Sequence, residues 1–417
     1  MLCMKIEGNK VLEGNIKVSG AKNSAVALIP ASLLSDEIVS IDNIPNISDI
    51  DALNEILEYL GAKVSRNEST ITIDSSTIEN KEIPESISKK LRASYYFMSA
   101  LLGKYKHVEM YFPGGCSIGA RPIDQTLKGF RTLGATVIEE NNKFIIDAEE
   151  LIGGHVYLDM PSVGATVNTI LVAVKAKGET IIENAAKEPE IVNIATFLNN
   201  MGAKITGAGT SEIKITGVDK LGSCFTEVIP DRIEAGTFIL AGALMGNNLR
   251  VENLIPEHVE TLILKLKEMG VKMEVGDDYV VVSRTDNLKP VKVKTLGYPG
   301  FPTDLQQPLT VLLTTCNGTS TLEETIYENR FQNVEYLNKM GANIEIDGRK
   351  IYINGPTNYH GEEVKATDLR AGACLILAAL SAEGTTTITN IEHVLRGYEN
   401  IENKLKGIGA KIEIVEI

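Results

Sequence analysis

Six short runs recur along the chain: LGAKV (60–64), LGATV (133–137), MGAKI (201–205), MGVKM (269–273), MGANI (340–344) and IGAKI (408–412). Their glycines, at 61, 134, 202, 270, 341 and 409, lie 68 to 73 residues apart. Before each glycine runs a segment with helical spacing, such as Leu53, Ile56, Leu57 and Leu60, or Leu262, Leu266 and Met269. The glycine is therefore expected just past a helix C-terminus in the left-handed conformation, and the alternating residues after it, as in ANIEIDGRKIYING, are expected to form strands. An earlier and more apolar helix opens each unit, for example AVALIPASLLS or AGACLILAAL, followed by a β-like run. The predicted module is helix–strand–helix–strand–strand, about 70 residues long, with one buried and one amphipathic helix.

Six such modules constrain the architecture. The 417 residues, 43% of them hydrophobic, exceed what one core holds, since single cores rarely grow beyond roughly 250–300 residues. Two α/β domains of three modules each are predicted, with buried helices inside and sheets outside. The run GSCFTEVIPDR (222–232) marks one crossing between them. A second crossing is expected near Ser19–Ala21, because the opening strand needs a sheet edge to join. The expected domains are 22–229 and a discontinuous 1–21 plus 230–417.

Composition excludes several functions. The opening twenty residues carry charges throughout, and the longest apolar run (371–380) is too short to span a bilayer, so a soluble, cytoplasmic protein without membrane partners is expected. Five scattered cysteines, at 3, 116, 224, 316 and 374, contain no C-x-x-C pair and read as free thiols. Five dispersed histidines without H-E-x-x-H give no metal motif, and neither cofactor nor protein-held metal is expected. A formal net charge of −14 disfavours nucleic acid, yet leaves room for a small anion gripped by a few converging arginines.

Candidate chemistry gathers at the entries of the apolar helices: Lys22 and Asn23, Arg92, Ser162 and Gly164, Asp231 and Arg232, Asp304, and Asp368 with Arg370. Singly, an Asp at a helix start is most often a cap and a loop Arg a surface contact. Their shared place in the modules argues for more, because the helix macrodipole disfavours cations at N-termini. Arg330 and Arg396 occupy the corresponding later loops and bring guanidinium forks suited to anions. Glycines at 114, 115 and 119 make PGGCSIGARP (113–122) a loop, with Cys116 exposed and Arg121 able to favour its thiolate.

In SGAKNSA (19–25), LRASYYFM (91–98), PGGCSIGARPID (113–124), SVGAT (162–166), PDRIEAGT (230–237), GFPTDLQ (300–306), ENRF (328–331), TDLRAGA (367–373) and RGYE (396–399), the chain resembles the enolpyruvyl transferases that act on UDP-N-acetylglucosamine. The likeness covers essentially the full length. It implies an inside-out α/β barrel of two domains, three units in each, with the active site in the cleft between them. It also implies transfer of the enolpyruvyl group of phosphoenolpyruvate to the 3′-hydroxyl of UDP-N-acetylglucosamine by addition and elimination, releasing phosphate for peptidoglycan synthesis.

By the same resemblance Cys116 is the general acid on a closing loop and the site of alkylation by fosfomycin, and Asp304 is the base at the sugar hydroxyl. Lys22, Asn23, Arg92, Arg121, Arg330, Arg370 and Arg396 surround phosphoenolpyruvate, with Lys22 and Arg396 also catalytic, and Asp368 is a polar partner. Asn23, Arg92, Arg121, Pro122, Ile123, Asp124, Gln125, Ser162, Val163, Gly164, Asp304 and Ile326 meet the nucleotide sugar. Met160–Pro161 departs from the Lys–Val of some members and puts nucleotide affinity in question. A monomer or weak oligomer is expected. The rival readings are the shikimate-pathway enolpyruvyl transferase, which lacks the PGGCSIGARP loop, and a DNA-encircling clamp, which would need basic helices where these are apolar.

Overall fold

The structure, a computed structural model, describes residues 2–114 and 123–416. Six apolar helices open the six modules: α1 (Lys22–Ala31), α2 (Tyr95–Tyr105), α3 (Val163–Ala173), α4 (Arg232–Met245), α5 (Thr303–Leu313) and α6 (Leu369–Ser381). They lie buried almost throughout: in α4 every residue from Ile233 to Met245 is buried. The amphipathic helices between them, such as Ser48–Tyr59 and Glu260–Met269, bury one stripe only.

The recurring glycines stand at the predicted place. Gly61, Gly134, Gly202, Gly270, Gly341 and Gly409 all have φ between 94° and 111°, a conformation that costs a residue with a Cβ and costs glycine little. Each turns the chain from the end of an amphipathic helix into a strand.

Six small sheets result, five of four strands and one of three among the described residues. In the fourth, Leu249–Glu252 pairs antiparallel with Tyr279–Ser283, and the outer strand Lys272–Val275 follows. The other edge is β2 (Asn15–Lys17), running parallel to Leu249–Glu252. The opening strand behaves differently from expectation. β1 (Leu2–Glu7) takes a central place in the sixth sheet, antiparallel to both Thr385–Thr389 and Lys411–Glu416, and only β2 lies at an edge. The sixth module has one strand after Gly409 where the others have two, so β1 fills the missing position.

The chain divides into two compact units, one of residues 2–19 with 230–416, the other of 20–114 with 123–229. Each has its own apolar core. In the first, α4, α5 and α6 pack pairwise, and a Cβ on Gly236 of α4 would come within 2.5 Å of Leu305 of α5, so the missing side chain sets that approach. In the second, α2 packs on α1 and α3. No described helix is long and apolar enough to cross a membrane.

Asparagines in the left-handed region close several module strands. Asn43, Asn184 and Asn253, with φ of 56°, 57° and 61°, donate through Nδ2 to the carbonyls of Val228 (2.8 Å), Leu158 (2.9 Å) and Val18 (2.8 Å). Each amide ties the end of a module's first strand to a segment that leads into one of the apolar helices.

Candidate active site

The singled-out residues fall into one set per unit. In the unit of residues 2–19 and 230–416, Asp304 sits in the first turn of α5. Its Oδ1 accepts from Arg330 Nη2 at 2.7 Å and its Oδ2 from Arg370 Nη2 at 3.1 Å. Both arginines are only 4% exposed. Burial alone would raise the Asp304 carboxyl, but Arg370 and Arg330, with Arg232 adding its charge, outweigh it and hold the group far below the usual carboxylate range. So held, Asp304 is ionised at every working pH and is a weak base.

Neighbours fix both guanidiniums. Arg330 Nη1 donates to Thr303 Oγ1 at 2.7 Å, and the Arg330 carbonyl accepts from Gln306 and Gln307 at 2.8 and 3.1 Å. Its buried Nε has no hydrogen-bond partner among the described residues. Arg370 Nη1 donates to the Tyr398 hydroxyl at 3.1 Å, which in turn lies 2.8 Å from Thr237 Oγ1 of α4. Glu324 anchors the chain near Ile326: its Oε1 accepts from the Ile326 amide at 2.8 Å and its Oε2 from Thr303 at 2.7 Å. Ile326 itself is exposed. Arg396 follows the short helix Glu392–Leu395, two residues before the buried Tyr398.

Asp231 and Asp368 both cap helices. Asp231 caps α4, accepting from the amides of Ile233 and Glu234 at 2.8 and 3.0 Å. Asp368 caps α6 through the amides of Arg370 and Ala371 at 2.8 and 3.0 Å, and its buried Oδ2 has no hydrogen-bond partner among the described residues. Arg232 opens α4, with its guanidinium 5.6 Å from the Tyr298 ring centre.

In the unit of residues 20–114 and 123–229, Lys22 is the first residue of α1 and pairs with Asp49 Oδ2 at 2.7 Å. Asn23 beside it is exposed. Arg92 begins the 3₁₀ turn that leads into α2, 5.8 Å from the Tyr95 ring centre. The Tyr95 hydroxyl in turn lies 1.8 Å from where a Cβ on Gly164 would be, so a side chain at 164 would displace it. Ser162 caps α3 by accepting from Ala165 N at 3.2 Å, and Val163 and Gly164 are half-buried. The cap survives the Met160–Pro161 departure, both of whose residues are exposed.

Gln125 in the helix Asp124–Thr132 is tied to Asp159 at both ends of its amide, donating to Oδ2 at 2.9 Å and accepting from the backbone N at 2.8 Å. Ile123 precedes the helix and Asp124 is exposed in its first turn. Cys116, Arg121 and Pro122 lie outside the described residues.

The structure therefore brings Asp304, Arg330 and Arg370 into direct contact, and each predicted helix entry bears its predicted residue. Sequence reading missed Asp49 as the partner of Lys22, Tyr398 as the partner of Arg370, and the Gln306–Gln307 pair. Asp49 had a signal, being an acid in a helix first turn at a fixed offset from the preceding strand. Among the described cysteines, Cys3, Cys316 and Cys374 are buried, and burial pushes Cys316 up to about 11 and Cys374 up to about 12. No group of His, Cys, Asp and Glu among the described residues is arranged to hold a metal.

Comparison with known proteins adds three findings. The family described as EPSP synthase (3-phosphoshikimate 1-carboxyvinyltransferase) matches residues 6–405. The UDP-N-acetylglucosamine 1-carboxyvinyltransferase 2 of Geobacillus kaustophilus is 54% identical over 98% of this chain and 96% of its own, and that of Bacillus subtilis is 52% identical over the same shares. Among solved structures, the enolpyruvyl transferase NikO from Streptomyces tendae superposes with a TM-score of 0.91 at 28% identity, covering 99% of both chains.

Proposed function

From membership of the EPSP synthase family, to whose UDP-N-acetylglucosamine 1-carboxyvinyltransferase branch this chain belongs, we infer that it transfers the enolpyruvyl group of phosphoenolpyruvate to UDP-N-acetylglucosamine. It is a transferase of peptidoglycan synthesis. Within that activity, the observation that carries our reading of the site is the single carboxylate of Asp304 holding two buried arginines.

Phosphoenolpyruvate brings a phosphate and a carboxylate, and Arg330 and Arg370 are assigned to them, with Lys22, Arg92, Arg121 and Arg396 completing the cationic set. Guanidiniums already fixed by Thr303 and Tyr398 need little reordering to receive an anion. As the substrate's negative charge draws on both arginines, their hold on Asp304 weakens and its basicity rises. Asp304 then accepts the proton of the 3′-hydroxyl as that oxygen attacks C2 of phosphoenolpyruvate. Cys116 donates a proton to C3; the tetrahedral ketal then returns one C3 proton to the Cys116 thiolate as it expels phosphate, which restores the C2–C3 double bond. Asn23, Ile123, Asp124, Gln125, Ser162, Val163, Gly164 and Ile326 are assigned to the nucleotide sugar. The cytoplasm is the proposed compartment.

Phosphate release with phosphoenolpyruvate and UDP-N-acetylglucosamine tests the reading, with the product identified by mass. Release needing both substrates is expected. Release with 3-phosphoshikimate as the sole competent acceptor would replace it with the other activity named in the family's description. Fosfomycin should add one covalent equivalent at Cys116 when the nucleotide sugar is present; an intact mass without that adduct would remove Cys116 from its assigned role.

A further inference from the structure

Ser19 is the last residue of one unit before the chain passes into the other, and each of its polar atoms is bound within the unit it leaves. Its amide donates to Glu234 Oε2 at 2.7 Å, and its carbonyl accepts from the Asp231 amide at 2.9 Å. Its hydroxyl accepts from Lys404 Nζ at 2.6 Å and donates to Glu399 Oε2 at 2.5 Å. Lys404 closes the ring by donating to Glu234 Oε1 at 2.6 Å. Glu234, in the first turn of α4, is 2% exposed, and Ser19 is buried.

The cost of burying the Glu234 carboxylate, with Glu399 and Lys404 half-buried beside it, makes this arrangement an expensive way merely to end a strand. Burial pushes Glu234 up to about 7 even with Lys404 drawing it down. What the cluster joins is specific. Glu399 belongs to the loop that carries Arg396 and Tyr398, and Tyr398 holds Arg370. The next residue after Ser19 is equally constrained, since a Cβ on Gly20 would lie 1.7 Å from the Asn43 carbonyl oxygen. No slack remains at this crossing.

We propose that Ser19, Glu234, Glu399 and Lys404 are positioning residues for the reaction, setting the 396–400 loop, and with it Arg396 and Tyr398, from the point where the chain leaves this unit. They touch no substrate; they act through the loop. The proposal rests on the transferase reading given above.

Ser19→Ala is the mildest test, because it removes the hydroxyl that links Lys404 to Glu399 and keeps the ion pair. Phosphate release should fall about tenfold in kcat, with KM for the nucleotide sugar unchanged within about twofold, since a small misplacement of a fixed group costs rate before it costs binding. Ser19→Thr, which keeps the hydroxyl, should restore most of the rate. Glu399→Gln should lower kcat alike, and the double variant should fall no further than either, as members of one network are not additive. Unchanged kcat in Ser19→Ala, or losses that simply multiply in the double variant, would overturn the proposal.

Hydrogen exchange on the same proteins decides the matter without activity. Ser19→Ala should speed exchange in residues 396–400 together with 18–20, and unaltered exchange in 396–400 would reject the coupling. If the wild type itself releases no phosphate, the transferase reading fails, and the exchange experiment still judges the network. Glu234→Gln and Lys404→Met extend the series where they fold.

Discussion

Lys22 in one unit pairs with Asp49, whereas in the other Arg330 and Arg370 share the carboxylate of Asp304, and the number of cations bonded to each carboxylate separates them. Arg330 and Arg370 share one bonded carboxylate, with Arg232 also acting on it and Asp368 and Asp231 adding negative charge, in a place largely withdrawn from water. Guanidiniums withdrawn from water bind an anion strongly. Under the proposed function, the anion's main hold falls to Arg330 and Arg370 and a lesser share to Lys22. Cations persist at helix starts despite the macrodipole because a nearby carboxylate offsets the penalty in both cases.

The largest effect expected from this difference is on rate. Asp304→Asn should lower phosphate release by about 10²- to 10⁴-fold, as loss of an acid–base group does, while Asp49→Asn should cost about tenfold or less. Equal losses would break the comparison. Stability comes next, read from urea midpoints. Removing Asp304 leaves two buried guanidiniums facing each other and should cost about 3–5 kcal/mol. Removing Asp49 strands one partly exposed ammonium and should cost about 1–3 kcal/mol. A reversed order would refute the two-to-one reading.

A pH series sharpens the arginine-bearing side. Asp304 has a depressed folded pKa, so its stabilisation is whole above the ordinary aspartate value and is lost only as pH falls below it. The wild type should therefore lose more stability than Asp304→Asn on acidification toward pH ~2. Glu234 is shifted the other way, from 4.5 to about 7, so its contribution is whole below 4.5 and is lost as pH rises through 7. Glu234→Gln should flatten that limb, and identical slopes in the two proteins would contradict the shift. The smallest effect is a control: Lys90→Met removes an exposed pair with Glu55 and should move stability by no more than about 0.5–1 kcal/mol.

Much of this was legible in the sequence where the cause is local. A glycine after a helical stripe specifies a left-handed turn, and six helix entries with charged or capping residues specified where to look. The pairing of Asp304 with Arg330 and Arg370 was not, because it depends on contacts 26 and 66 residues apart that periodicity does not encode. Nor was the central place of β1, since strand alternation tells which face is buried and says nothing of which neighbours a strand has. The left-handed asparagines were readable in principle: Asp42–Asn43, Glu183–Asn184, Glu252–Asn253 and Thr389–Asn390 stand at matching positions, and asparagine is the residue besides glycine that tolerates that conformation. The family resemblance supplied the roles that residue types alone left open.

The central place of β1 also has a temporal side. A chain made from its first residue onward presents Leu2–Glu7 long before Thr385–Thr389 and Lys411–Glu416, the two strands it pairs with, exist. Residues 20–229 can fold while synthesis continues, whereas the strand Leu2–Glu7 must wait, apolar on one face, until both of its partner strands have been made. Nascent chains stalled at intermediate lengths should accordingly give a protease-resistant fragment spanning the early unit, with the first residues still cleavable until the last strand emerges.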